Sequence, residues 1–169
     1  MAAGVSAVSA WINSRTTKTN LRMQQVDFEE RHDSIRPYLI DGVSWNTPDG
    51  ERVTSFACSY TNAANTPNTL IRFELIVDIL ANDGMRTSVV LDPFLEAIPS
   101  LHNIQRLAVP LNLPARSTAS GWISFKLPRH LLGGKRLDKY QITAITSAGK
   151  ALTLESYLLH QWDNENLKT

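Results

Sequence analysis

The sequence predicts a mainly β fold over residues 34–162: an antiparallel sandwich or barrel of about seven or eight short strands. Three observations predict it. Runs rich in branched and aromatic residues recur from Ile35 onward. Turn-forming clusters separate them, at 46–50 (Asn-Thr-Pro-Asp-Gly), 82–84 (Asn-Asp-Gly) and 147–149 (Ser-Ala-Gly). Within the runs, apolar and polar residues alternate with the period of two that a half-buried strand requires. No period of about 20–50 residues recurs, which excludes a solenoid or a propeller.

The elements follow in order. Residues 1–12 are small, apolar and uncharged, and 13–20 are polar with Arg15 and Lys18. Residues 21–31 hold good helix formers and no Gly or Pro. Residues 1–33 therefore read as an N-terminal helical arm standing apart from the β domain. Pro37 disfavours helix at Arg36 and ends it. The first strand is expected over 35–45 and the second over 52–61. In the second, Thr54, Phe56, Cys58 and Tyr60 form the heavier face, opposite Val53, Ser55, Ala57 and Ser59. Residues 70–80 are compatible with a helix or a strand: Ile71, Phe73, Leu75, Val77 and Ile79 alternate with Arg72, Glu74, Ile76, Asp78 and Leu80, and the Asp-Gly turn that follows favours the strand. The 82–84 turn then leads into a strand over 86–91. A short helical turn is expected within 93–101, and an edge strand over 104–113, interrupted at Pro110. Residues 121–127 alternate cleanly, Ile123, Phe125 and Leu127 against Trp122, Ser124 and Lys126. Residues 128–134 read as a turn or 3₁₀ segment, 139–146 and 150–157 as a last hairpin, and 163–169 as a flexible polar tail.

Length and composition fit one domain with an appendage: 169 residues, 43% hydrophobic, 20% charged. The formal net charge of +1 provides no general drive toward nucleic acid or an anionic membrane. Nucleic acid is accordingly not an expected partner. The single cysteine, Cys58, excludes an intramolecular disulfide.

Residues 111–128, with Trp122 and Phe125 in a Gly-Trp-Ile-Ser-Phe-Lys-Leu-Pro run, resemble a loop and strand of immunoglobulin-like β-sandwich domains found in uncharacterised bacterial proteins. Leu137-Asp-Lys-Tyr140 resembles the tyrosine corner of that fold, in which a hydroxyl at the start of the sixth strand ties back to the upstream backbone. The hairpin around 148–150 is similar to its last two strands. The resemblance implies an antiparallel immunoglobulin-like sandwich with structural roles for Tyr140, Trp122 and Phe125. It brings no catalytic residues.

Motifs that carry chemistry are sparse. There is no P-loop and no Gly-x-Ser-x-Gly elbow. The histidines, His32, His102, His130 and His160, lie far apart, so no short metal-ligand pair exists. Cys58 falls on an apolar face, as a buried inert thiol would. Glu74 and Asp78 would stand roughly 13 Å apart on a strand, too far for a glycosidase pair at ~5–9.5 Å. No cofactor and no metal are expected. One charge cluster stands out: Arg129, His130, Lys135, Arg136 and Lys139, with Asp138 as its one acid. Such a loop can contact an acidic partner, a phosphate or a lipid head group.

The apolar start, with Trp11 and Ile12 at its end and Arg15, Lys18 and Arg22 behind it, resembles a membrane-anchor remnant with a cytoplasmic basic flank. Twelve helical residues reach only ~18 Å against ~30 Å of hydrocarbon, so this stretch cannot span by itself. It can instead tether, or pack in an oligomer. The expectation is a non-enzymatic interaction or structural module, cytoplasmic, free or at the membrane face, with a protein partner or self-association through the arm. Alternatives are a structural component of a virion or other repetitive particle and, further off, a carbohydrate-binding or hydrolytic sandwich.

Overall fold

A computed structural model describes residues 21–24, 35–94, 105–133, 135–157 and 159–161. Of the expected arm, only 21–24 falls within these. Those residues are helical and exposed. The rest of 1–33, with Trp11 and Ile12, lies outside the described residues. So do 95–101 of the expected helical turn and the 163–169 tail.

The described chain is mainly β. Its strands are β1 (Ile35–Asn46), β2 (Arg52–Asn62), β3 (Asn68–Leu80), β4 (Arg86–Leu91), β5 (Leu111–Leu113), β6 (Thr118–Leu127), β7 (Arg136–Thr146), β8 (Ala151–Ser156) and β9 (His160–Gln161), with one short helix, α1 (Arg129–Leu132), before β7. They form two sheets. The first has the order β6-β2-β1-β9 and the second β4-β3-β7-β8, with β5 paired to the start of β3. Pairing is antiparallel except for β9, which runs parallel to β1 over Val43–Ser44. The hairpin turns β1–β2, β3–β4 and β7–β8 lie where the turn clusters stand. Each holds a left-handed glycine, Gly50, Gly84 or Gly149, at φ 77°, 83° or 80°.

The sheets face each other across one apolar core. From the first sheet come Phe56, Cys58, Tyr60, Ile123, Phe125 and Leu127; from the second, Phe73, Leu75, Val77, Ile142 and Ala144. Rings interlock between the layers: Tyr60 meets Phe73 at 5.6 Å and Phe56 meets Tyr140 at 6.0 Å between centroids. The heavier face of β2 is thus the core face, as its alternation predicts.

Simple alternation fails at three bulges. In β3 the register shifts between Leu70 and Arg72, so Leu70 turns inward and Ile71 is 49% exposed, against the expectation that Ile71 shares a face with Phe73. A second shift, between Asp78/Lys139 and Ile79/Leu137, leaves Asp138 unpaired in β7. A third lies at Ile40 in β1.

The strand expected over 104–113 shrinks to β5. Proline offers no N–H at position 110 to a ladder. Residues 105–107 instead lie along β6, where Trp122 donates to the Gln105 carbonyl at 2.9 Å and Leu107 to the Trp122 carbonyl at 3.0 Å. This close approach is permitted by Gly121, whose Cβ, if present, would stand 2.5 Å from the Gln105 oxygen. Residues 129–132, expected as a turn or 3₁₀ segment, form a single α turn.

Candidate functional site: a cationic cleft at the open end of the sheets

The inward row of β2 runs Tyr60, Cys58, Phe56, Thr54, Arg52. The first four are wholly buried, and the row ends on a half-buried arginine where the strand begins. Arg52 pairs in register with Leu127, a core residue, so both point between the sheets. Its Nε donates to Asn46 Oδ1 at 3.3 Å. Its charge and a hydrogen bond also act on the Tyr140 phenol, which reaches across from β7. Burial pushes that phenol above its ordinary range, and Arg52 pulls it partly back. Tyr140 therefore stays a neutral hydroxyl.

Around this pair the layers part into a cleft of about 340 Å³. Its polar wall is Ser44, Arg52, Lys135, Arg136, Tyr140 and Gln161; Leu137, Leu159 and the ring of Tyr157 complete it. Among the described residues, no carboxylate and no histidine lines it. Its shape follows from local structure. The bulge at Asp138 re-phases β7, so that Leu137 packs against the core although the inward residue beyond it is Tyr140. Gly42 leaves room for Leu159: a Cβ there would stand 2.5 Å from Leu159 Cδ2. The two-residue β9 places Gln161 beside Ser44.

The structure divides the basic cluster that the sequence singles out. Lys135 and Arg136 line the cleft. Arg129 instead lies over Gly50 in the β1–β2 turn, with its Cδ 3.3 Å from where a Cβ would be. His130 is exposed on α1. Lys139 is held by Glu155 of β8 at 2.9 Å, and Glu155 also accepts from the Tyr157 hydroxyl at 3.2 Å. The hydrogen bond with Lys139 holds the Glu155 carboxyl below its ordinary range and Lys139 above its own. Asp138, the one acid of the cluster, turns to Arg86 of β4 at 3.3 Å and so does not neutralise the cleft.

Arg52 is the site residue that the sequence reading misses. The signal is present, because the period of two that links Tyr60 to Thr54 continues to it.

Among the described residues, the remaining chemistry-bearing groups do not converge. Cys58 is wholly buried, and burial pushes its thiol up to about 12. Glu74 pairs with Arg72 at 2.8 Å, and Asp78 accepts from Ser88 at 2.6 Å. Tyr140, the tyrosine-corner residue of the resemblance, lies within β7 and faces Arg52. Phe125 packs in the core against Phe56, and Trp122 is half-buried on the opposite face of β6. Among the described residues, no group of three or more His, Cys, Asp or Glu is placed to hold a metal ion. No described helix is long and apolar enough to cross a membrane.

No family model matches the chain, and no curated protein matches it. Among solved structures there is a likeness to the Pseudomonas fluorescens alkylpurine DNA glycosylase AlkC, bound to DNA containing an abasic site analog. Identity is 8% and the TM-score 0.45, over 77% of this chain and 31% of that one, so the chain spans about a third of the glycosylase. The structural-genomics target SoR45 has 10% identity and a TM-score of 0.40, over 75% of this chain and 87% of its own. The apo PCuAC domain from PmoF1 has 12% identity and a TM-score of 0.37, over 73% and 93%. At these values none of the three carries an argument about activity or ligand.

Proposed function

We propose that this chain is a non-enzymatic interaction module that recognises an anionic group in the cleft between its two sheets. The observation that carries the reading is the wall itself: Arg52, Lys135 and Arg136 converge there with no described carboxylate among them. A general acid–base mechanism needs a titrating side chain within hydrogen-bond reach of the reacting group. The described wall offers cations, neutral hydroxyls and an amide, which suits binding over turnover. An immunoglobulin-like identity for the sandwich belongs to the same proposal. Its support is the two face-to-face sheets and the final β7–β8 hairpin, while Tyr140 departs from the corner pattern.

The test is a titration of the full chain with sodium sulfate, followed by amide NMR shifts. Saturable shifts confined to residues around 52, 135–140 and 157–161 are expected. They should vanish in a Lys135→Glu, Arg136→Glu double variant. Shifts that persist in that variant, or none in either protein, overturn the reading.

A further inference from the structure

We propose that the cleft is a binding site for a small phosphate monoester whose phosphoryl group is carried on a compact, ring-sized body. The inference rests on the anion-recognition reading above and names the chemical class. Charge is the first argument. Two guanidinium groups and one ammonium share the wall, with no described carboxylate against them. A singly charged carboxylate or sulfate ester leaves most of that charge uncompensated. A phosphate monoester carries about −1.5 to −2 at neutral pH and presents three acceptor oxygens. Arginine's planar fork of donors matches those oxygens two at a time.

Size and shape are the second argument. A bare inorganic anion fills a small part of about 340 Å³, a volume at the lower end of small-ligand sites. The wall also carries apolar surface. Leu137 and Leu159 are half-buried against the core, and Tyr157 is exposed while its hydroxyl is held by Glu155. That surface offers an apolar ledge and an anchored ring edge to a ligand body. Ser44, Tyr140 and Gln161 add neutral hydrogen-bonding groups to the wall. A cleft between two layers, lined by both cations and apolar side chains, favours a small molecule over a broad macromolecular contact.

The experiment compares phenyl phosphate, phenyl sulfate and inorganic phosphate on the full chain by calorimetry, with amide NMR to locate each. Phenyl phosphate is expected to bind at least about tenfold more tightly than phenyl sulfate, because the second charge adds charge-assisted hydrogen bonds. Arg136→Gln, an exposed substitution that leaves the core untouched, should weaken phenyl phosphate about tenfold or more. Arg129→Gln, outside the cleft, should not. Tyr157→Ala should weaken phenyl phosphate and leave inorganic phosphate unchanged. Equal affinity for the two phenyl esters at the cleft overturns the phosphate assignment while leaving anion recognition standing. Binding of neither ester, together with no sulfate shifts, overturns both. Tighter binding of a phosphoserine peptide than of phenyl phosphate overturns the small-ligand assignment in favour of a protein partner.

Discussion

Phe56 and Arg52 stand on the same inward row of β2, yet their surroundings differ. Phe56 is wholly buried, with Phe125 edge-on at 6.2 Å and Tyr140 tilted at 6.0 Å between centroids. Arg52 is half-buried, bonded to Asn46 and facing a cleft with Lys135 and Arg136. Tyr140 belongs to both settings: its ring closes the core and its hydroxyl meets Arg52. The difference teaches how one strand serves two ends. In the middle of a two-layer sandwich, inward positions are sealed by the facing sheet and must be apolar. At the end, the layers part, water enters, and an inward position can hold a charge with its stem against the core.

The sharpest way to break this comparison is to remove the sealed side. Phe56→Ala should cost about 3–5 kcal/mol in urea unfolding, since it deletes a ring with aromatic neighbours on both sides. A loss below about 1 kcal/mol would show that the middle of the row is not tightly packed. Gly121→Ala comes next. Its new methyl group would meet the backbone oxygen of Gln105, which cannot swing aside as a side chain can, and about 1–3 kcal/mol should be lost. Wild-type stability in that variant would mean that residues 105–107 are not seated against β6.

At the open end the expectation reverses. Arg136→Gln should change stability by no more than about 0.5 kcal/mol while removing most anion binding. A large stability loss would make Arg136 part of the fold and not of a site.

The smallest effect sharpens the boundary of the cleft. Glu155 is held below the ordinary carboxyl value of 4.5 by Lys139, so the pair's stabilisation is present above that pH and fades as pH falls through the lowered value. Lys139 is held above 10.5, so the same contribution is lost again as pH rises through its raised value. Lys139→Gln should therefore flatten stability against pH below 4.5 by a small amount, both groups being exposed, and leave anion binding intact. Loss of anion binding in that variant would extend the site to Lys139.

Much of the fold is legible in the residues. The Asn-Thr-Pro-Asp-Gly, Asn-Asp-Gly and Ser-Ala-Gly clusters each become a hairpin turn, because glycine there adopts a left-handed φ that other residues resist. The period of two in 52–61 and 121–127 correctly assigns the core faces. It misassigns Ile71, because the residue inserted there sets Leu70 and Ile71 out of phase with the inward row Phe73 to Ile79, and nothing in the local sequence marks the insertion. The 104–113 strand fails for a related reason. Its apolar residues are real, but Pro110 interrupts the ladder and Gly121 admits residues 105–107 alongside β6. Of the basic cluster, the sequence marks Lys135 and Arg136 correctly as neighbours in space. It cannot separate them from Lys139, whose carboxylate partner lies sixteen residues away on the next strand.

By itself the sequence determined the mainly β class, the positions of the turns, the core faces of β2 and β6, and the burial of Cys58. These depend on side-chain chemistry repeated at short spacing, and short spacing is what a linear reading sees. Only the tertiary structure decided which cations line the cleft and which are paired with carboxylates. It turns Asp138 toward Arg86, binds Lys139 to Glu155, and brings Arg52 of β2 together with Lys135 and Arg136 at the entry to β7. The physical reason is that charge acts through space. Whether a cation is free depends on which strand packs beside it, and strand pairing is settled by the whole core at once.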